Sequence, residues 1–278
     1  MLARLLSQRL AEILGQPFVV ENVPGAGGIL AAKRIAASPP DGYQLMINDS
    51  AALAINIVMS PDATYTLADF TPITALATVP TAFVIIPSVQ ANTLGEFVAL
   101  AKSKPGAMSY GSAGAGSIHH LTMEIFADRT GIKLLHVPYR GGTALVNGLL
   151  TGEIQAGWSG LPNVVPHIAA GKLRALCVSV LERATSLPDV PTCDEAGIKG
   201  FDIADMLGLQ GPAGMSPKTV ERLQSAIAKI MREPAMAERM KVLGMGMQEN
   251  GTANYVQFMK DDLERYAKVI ERLGLKRK

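Results

Sequence analysis

The chain has 278 residues, of which 48% are hydrophobic and 18% charged, so it is globular and long enough for two domains or one large one. Its formal net charge of +2 gives no indication of binding to nucleic acid or to an anionic membrane surface. No apolar run approaches the ~20 residues that a membrane-spanning helix needs.

The first ninety residues are predicted to form helices that alternate with short strands. Apolar residues at helical spacing, ended by glycine or proline, indicate the helices, and short β-branched runs indicate the strands. The oxygens of Asn48, Asp49 and Ser50 are capping groups for the third helix. The predicted helices are 2–14, 29–37 and 50–57, and the predicted strands are 18–20, 43–47, 73–77 and 83–86.

The same alternation continues to the end of the chain. Thr93 and Glu96 have capping-box spacing and begin a helix, and Pro217 after Ser216 begins another. Strands separated by helices of about ten residues indicate βαβ units, and hence a parallel sheet with helices on both faces. The further predicted strands are 108–110, 134–137, 154–158, 173–178 and 206–211. The further predicted helices are one that ends at 102, one from 118 to 130, one that ends at Gly152, one from 161 to 170, and those between 217 and 273.

The stretch from Tyr110 to Ser117 is a turn of small residues between a strand and a helix. The first amide N–H groups of a helix lack internal acceptors, and the aligned peptide dipoles place partial positive charge there. Such a turn can bind a carboxylate or phosphate without lysine or arginine. The same glycines can equally serve a tight turn for conformational reasons alone.

Similar amide-rich turns occur at 48–51, 111–117, 139–143 and 158–160. Turns that follow parallel strands lie at one edge of the sheet, where open α/β sheets bind ligands. No general base, nucleophile or metal cluster accompanies these turns. The sequence therefore predicts a site that holds an anion without transforming it, with no cofactor and no metal.

Two enzymatic or nucleotide-binding interpretations compete with this one. The 110–117 turn matches neither G-x-G-x-x-G nor G-x-x-x-x-G-K-[ST], which argues against a nucleotide site. Ser159, between Trp158 and Gly160, invites comparison with the nucleophile elbow G-x-S-x-G of hydrolases, although the final glycine is misplaced. His167 on the next predicted helix could lie near Ser159, but no orienting acid stands out. A serine hydrolase using Ser159 is the alternative function.

The histidines are predicted to have structural roles. His119 and His120 are adjacent, so a helix directs them apart and they cannot chelate one metal ion. We expect them to pack or cap around the preceding turn, and His136 to lie in the core. Trp158 could line a pocket or belong to the core.

The two cysteines, Cys177 and Cys193, show no metal-binding spacing. Whether they pair is not readable from the sequence, and the simpler expectation is two free or buried thiols. The basic end of the chain, 276–278, is expected to be a solvated tail.

Seven sequence blocks span nearly the whole chain. They are QPFVVENVPGAGG (16–28), PDGY (40–43), YGSAG (110–114), VPYRGG (137–142), AAGKLRAL (169–176), LPDVPT (187–192) and GPAG (211–214). In their order and wording they resemble the substrate-binding proteins of tripartite tricarboxylate transporters, the Bug family.

This resemblance implies an α/β fold of the two-lobed periplasmic binding protein type (type II-like), with parallel or mixed sheets and flanking helices. The chain would cross between lobes near 78–81 and return near 206–208. Lobe one is thus 1–80 with 208–278, and lobe two is 81–207. The resemblance also implies a monomer that closes on a small carboxylate and delivers it to the membrane subunits of a transporter.

In the family, backbone amides, hydroxyls and ordered waters hold the ligand's carboxylate. Many relatives have an acidic residue where Ser159 stands, so the resemblance does not extend to a preference for an amino group on the ligand. The ligand-binding residues that it implies are Ser50 and Ala51 in lobe one, and Ser112, Ala113, Gly116, Ser117, Gly142, Thr143, Trp158 and Ser159 in lobe two.

The chain departs from the family at its start. Family members begin with a secretion signal, a first strand and a glycine-rich loop, whereas Met1 here falls inside the first predicted helix. We expect a longer gene product whose start has been assigned at an internal methionine, and therefore a periplasmic protein. The alternative is a truncated, non-functional paralogue, which would be cytoplasmic if Met1 is the true start.

Overall fold

A computed structural model describes residues 2–248 and 251–275 of the chain; Met1 and the basic tail 276–278 lie outside the described residues. None of the described helices has the length and apolar character that crossing a membrane requires. The helices are α1 (Leu2–Leu14), α2 (Ile29–Ala36), α3 (Ser50–Met59), α4 (Leu94–Ser103), α5 (Ile118–Thr130), α6 (Gly142–Leu150), α7 (Leu161–Ala169), α8 (Pro217–Met231), α9 (Pro234–Val242) and α10 (Gly251–Arg272). The strands are β1 (Met46–Asp49), β2 (Phe70–Ile85), β3 (Ser109–Ser112), β4 (Leu135–Pro138), β5 (Ala156–Gly160), β6 (Arg174–Val178), β7 (Ala204–Pro212) and β8 (Gly246–Met247).

The long strand β2 is the centre of the sheet. Its first part, from Phe70 to Pro80, pairs antiparallel with β7. Its last part pairs antiparallel with β5 from Thr81 to Ile85 and with β6 from Ala82 to Ile85. β1 lies beyond β7, and β3 and β4 lie beyond β5, giving the order β1-β7-β2-β5-β3-β4. The sheet is therefore mixed, and the parallel pairing expected from the βαβ pattern is found at β3 with β4 and β5.

The prediction of two separate strands at 73–77 and 83–86 is wrong, because β2 runs through Val79 and Pro80 without a break. Proline has no N–H to donate to a strand ladder. Pro80 lies where β2 changes its partner from β7 to β5 and β6, so the missing donor falls at a junction.

The prediction of a buried strand at 18–20 is also wrong. These residues form no strand in the structure, and the side chain of Val19 is 90% exposed. A β-rich run indicates a strand only if a partner strand lies beside it, and the run itself carries no information on that partner. The strand predicted at 43–47 is found slightly later, as β1.

The expectation of free thiols is wrong as well: Cys177 on β6 and Cys193 form a disulfide, with their Cα atoms 5.1 Å apart. The backbone brings them together, because Cys193 N donates to Val178 O and Val178 N donates to Pro191 O, at 2.9 Å each. This pairing depends on how the 190–193 segment folds back along β6, which cysteine spacing does not reveal.

The hydrophobic core around β5 is aromatic. The indole of Trp158 stacks on Phe201, with ring centroids 5.3 Å apart, and Phe83 and Phe126 pack against it at 5.2 and 5.9 Å. Of the two roles left open for Trp158, the structure therefore shows the core role for its side chain.

Candidate functional site

The turns that precede α5 and α6 are held against each other by backbone hydrogen bonds. Tyr139 N donates to Ser112 O at 3.0 Å, and Gly141 N donates to Ala113 O at 3.3 Å. The two helices therefore start from one hydrogen-bonded structure. The N–H groups in the first turn of each helix lack acceptors within that helix.

The turn before α2 reaches the same place. A Cβ atom added to Gly27 would lie 3.6 Å from Ala115 O, and one added to Gly114 would lie 3.6 Å from Gly27 N. Gly27 has φ of 63° and Gly114 has φ of 128°, conformations that L side chains rarely adopt. Glycine is thus used here for both backbone conformation and close approach. We call the turns before α2, α5 and α6 the three glycine turns.

Asn56 on α3 connects two of these turns. Its Nδ2 donates to Gly27 O at 2.9 Å, and its Oδ1 would lie 3.4 Å from a Cβ added to Gly116. Asn56 is only 2% exposed. Sequence reasoning missed it, although a single amide among the apolar residues of α3 was a signal.

A small cavity of about 40 Å³ lies beside Asn56. This volume has room for a few water molecules, whereas pockets for larger organic ligands measure ~300–1,000 Å³. The cavity is lined by Ala26, Ile29, Asn56, Met59, Ser60, Asp62, Ala115 and Gly116.

Ser112, predicted to bind ligand, is fully buried and shapes the turn before α5. Its Oγ accepts from Gly114 N at 3.2 Å and lies 3.0 Å from Gly114 O and 2.7 Å from His136 Nε2. The hydroxyl is therefore occupied by protein groups, and Ala113 after it is half-buried.

Gly116 and Ser117, also predicted to bind ligand, are connected to His120. Ser117 Oγ caps α5 by accepting from His120 N, and Gly116 N donates to His120 Nδ1, both at 3.3 Å. The expected capping role of His120 is confirmed. The expectation that His136 lies in the core is wrong, because this residue is only half-buried at the site, where its ring stacks on that of His120 with centroids 4.1 Å apart.

The buried Nδ1 of His119 makes no hydrogen bond among the described residues. Burial lowers the pKa of His119 to about 4, so its imidazole is neutral at physiological pH.

Gly142 and Thr143 are the first residues of α6, and Gly141 before them has φ of 96°. The side chains of Trp158 and Ser159 on β5 are fully buried. Within the described residues Ser159 Oγ makes no hydrogen bond, so no histidine contacts it as a base. This geometry gives no support to a hydrolase that uses Ser159.

Ser50 and Ala51, predicted for lobe one, are buried at the start of α3. Asp49 Oδ1 accepts from Ala51 N at 2.9 Å, and Ser50 Oγ donates to Asp262 Oδ2 at 2.7 Å. The start of α3 is therefore tied to α10, a contact that the sequence analysis did not predict.

Asp49, Asp205 and Asp262 form a buried acidic cluster beneath the start of α3. Burial, and then the charge of Asp262, raise the pKa of Asp205 to about 7. Burial also raises the pKa of Asp262, against the opposing effects of Ser50 and Arg265, and burial with Asp205 and Asp262 raises that of Asp49. Among the described residues, no three acidic, histidine or cysteine side chains are placed so that they could hold a metal ion.

A larger groove, of about 440 Å³, lies between α4 and the end of α5 and contains none of the predicted ligand residues. Lys102, Arg129 and Lys199 line it. Arg129 donates to Lys199 O at 3.0 Å and lies over Phe201, and Lys199 pairs with Asp194 at 2.9 Å. Since two of its three cations are already engaged, we do not assign the anion site to this groove.

The chain is similar to known proteins along nearly its whole length. The model of the TctC family, described as the tripartite tricarboxylate transporter family receptor, matches residues 2–275. Protein BugT of Bordetella pertussis is 33% identical over 279 residues, covering 100% of this chain and 86% of BugT. The structure of R. palustris Rpa4515 with adipate has a TM-score of 0.94 at 29% identity, and covers 99% of this chain and 92% of that one. MatC (Rpa3494) from Rhodopseudomonas palustris, with bound malate, has a TM-score of 0.91 at 27% identity, covering 96% of this chain and 92% of that one.

Proposed function

Because the chain belongs to the tripartite tricarboxylate transporter receptor family, whose members are periplasmic solute-binding proteins, we propose that it captures a small organic carboxylate and delivers it to the membrane subunits of such a transporter. The observation that carries this proposal is the contact among the three glycine turns, where helix starts from distant parts of the chain meet. Converging main-chain N–H groups suit a carboxylate. The adipate and malate bound to two related structures are ligands of this class.

The ligand's carboxylate is held in this proposal by main-chain N–H groups at the starts of α5 and α6. Gly116 contributes from one turn, where Ser117 N already donates to Gly114 O at 3.0 Å, and Gly142 and Thr143 contribute from the other. The buried hydroxyls act indirectly: Ser112 holds the first turn in shape, and Ser50 ties the start of α3, with Ala51, to α10. Ala113, Trp158 and Ser159 complete the wall of the site through their backbone.

Binding works through the closure of two lobes, 1–80 with 208–278 and 81–207. The change of partner along β2 at Pro80 supports this division, since the segment that joins the lobes lies there and in β7. A ligand that contacts both lobes favours the closed form only by the amount that it binds this form better. The cavity beside Asn56 is small, so the glycine turns must separate to admit the ligand.

The disulfide between Cys177 and Cys193 supports a periplasmic location, because structural disulfides persist in oxidising compartments. We propose that the protein acts there as a monomer, without a cofactor and without enzymatic activity.

A thermal-shift screen of di- and tricarboxylates, aromatic acids and amino acids tests the function. A true ligand at a hundredfold excess over its Kd should stabilise the protein by about 2.7 kcal/mol. A flat response to every acid would contradict the proposal and favour the non-functional paralogue.

Replacement of Gly142 by valine tests the site. A Cβ added there would lie 3.6 Å from Asn163 Nδ2, an ordinary contact, so the fold should tolerate the change while the side chain obstructs the start of α6. We expect calorimetry to show at least a tenfold loss of affinity, or about 1.4 kcal/mol, for the best acid from the screen.

The matched control is Gly95→Val, in the first turn of α4, where an added Cβ meets nothing within 4 Å. Equal affinities of Gly142→Val and Gly95→Val would show that the start of α6 does not belong to the site.

A further inference from the structure

His120 occupies an unusual position for a histidine next to an anion site. Its Nδ1 accepts a hydrogen bond from Gly116 N at 3.3 Å, and Gly116 belongs to the turn proposed to hold the ligand. A ring nitrogen that accepts carries no proton, so the imidazole in this arrangement is neutral, with its proton on Nε2. The neutral ring therefore accepts the hydrogen bond of the Gly116 N–H, which a carboxylate would otherwise accept.

Two titratable groups on α5 and β3 lie close to His120. Glu124 Oε1 on α5 lies 4.0 Å from His120 Nε2 and favours the protonated ring. Tyr110 on β3 donates its hydroxyl to Glu124 at 2.6 Å, and burial, with Glu124, raises the pKa of this phenol, so Tyr110 stays neutral.

His136 on β4 limits the charge to one of the two rings. It is stacked on His120 with an angle of 9° between the ring planes, and two stacked imidazolium ions would repel each other. His136 is also connected to the same turn through Ser112, at 2.7 Å.

We propose that His120 is a positioning residue that couples carboxylate binding to the uptake of one proton. This inference rests on the proposed function. Protonation converts Nδ1 from an acceptor into a donor, which ends the hydrogen bond from Gly116. The Gly116 N–H and the new Nδ1–H then face each other as two donors, and a carboxylate oxygen placed between them accepts from both.

The sign of the pH effect follows from this geometry. Histidine ordinarily titrates near pH 6.5, so protonated rings become available as the pH falls from 8 towards 6. Affinity should rise over that interval, by no more than tenfold per pH unit for a single coupled proton. It should fall again only near pH 4, where the ligand's own carboxylates take up protons.

Nuclear magnetic resonance of the full chain without ligand tests the hydrogen bond itself. The Gly116 amide resonance should move with the same midpoint as the ring resonances of His120, shifting upfield as the acceptor is lost. In His120→Gln, whose amide oxygen can still accept, the Gly116 resonance should stay constant from pH 5.5 to 8. A Gly116 resonance that ignores the His120 titration, or still titrates in the variant, would overturn the inference.

Calorimetry with adipate at pH 7.5, in two buffers of different ionisation enthalpy, tests the coupling. We expect net proton uptake of up to one in the native protein and none in His120→Gln. The control His167→Gln, on α7, should match the native protein. Adipate binding without proton uptake overturns the coupling. If adipate, malate and every acid of the wider screen fail to bind, the proposed function is contradicted. The resonance titration needs no ligand and still decides the role of His120.

Discussion

At the scale of single residues, Asp205 is poorly suited to its surroundings. It is 8% exposed, and its Oδ1 has no hydrogen-bond partner among the described residues. Removing a carboxylate from water disfavours its charged form, and the nearby Asp262 adds repulsion. These two effects raise the pKa of Asp205 to about 7, so it is neutral in acid and charged above neutrality.

Replacement of Asp205 by asparagine should therefore stabilise the protein in a pH-dependent way. Below pH 4 both folded and unfolded chains keep the proton, and native Asp205 carries no penalty. Between pH 4 and 7 only the unfolded chain loses the proton, so the free energy of unfolding falls, and above 7 the loss is complete. Urea titrations should show Asp205→Asn more stable by roughly 2–4 kcal/mol at pH 8, with the gain vanishing near pH 4.

The exposed Asp202 provides the control. Asp202→Asn should leave the native pH dependence of stability unchanged, and the same gain in both variants would show that burial of Asp205 is not the cause.

The positions and contacts of single residues differ in how well the sequence predicts them. His120 is found near the turn before α5 because it follows Ser117 closely along the chain, and capping is a local property. His136 and Asp262 have no such signal: one is an ordinary strand residue, and the other is one acid among several on α10. Their partners, Ser112 and Ser50, are distant in the chain, so only the folded structure brings them together.

At the scale of elements, the helix starts are the best-predicted feature. The side chains of Asp49, Thr93, Ser117 and Ser216 each accept from a backbone N–H near the start of their helix. A capping oxygen acts on N–H groups two or three residues later, so a short stretch of sequence contains the whole interaction. Strands need a partner from elsewhere, which is why 18–20 was predicted wrongly and β2 was predicted as two pieces.

The connection between β6 and the 190–193 segment leads to a prediction about the disulfide. The bond closes a loop with a sequence separation of 16, and a loop of about that length stabilises by ~3 kcal/mol through the entropy of the unfolded chain. Reduction with a phosphine should lower the free energy of unfolding by this amount in urea titrations.

The double variant Cys177→Ala, Cys193→Ala should be equally stable with and without the phosphine. If thiol counting shows full reduction of the native chain and the urea midpoint does not move, the disulfide does not stabilise the fold.

At the scale of the whole molecule, the order of the sequence blocks predicts the family and the two-lobed α/β architecture. The strand order of the mixed sheet was harder to predict from the sequence, because β7 returns from far along the chain to lie between β1 and β2. The glycine turns before α5 and α6 were recognised one by one from composition. Their mutual contact, and the role of Asn56 within it, depend on long-range packing that no local pattern contains.

Asn56 therefore allows closure to be tested without altering any group proposed to hold the carboxylate. Asn56→Ala removes the side chain whose Oδ1 lies beside Gly116 of the other proposed lobe, whereas the hydrogen bond to Gly27 O that is also lost lies within lobe one. The closed form loses the contact between Asn56 and Gly116, so the ligand must supply the difference, and we expect the Kd to rise about tenfold, for a loss of about 1.4 kcal/mol. Faster ligand dissociation should account for most of the change in stopped-flow measurements.

Asn147→Ala, at an exposed position on α6, is the matched control and should leave both quantities at their native values. Small-angle scattering then separates closure from simple misfolding. At saturating ligand, the radius of gyration should decrease in Asn56→Ala as it does in the native protein, because the variant can still close. An unchanged Kd in Asn56→Ala would mean that the contact between Asn56 and the turn before α5 does not favour the closed form, and that closure depends on other groups.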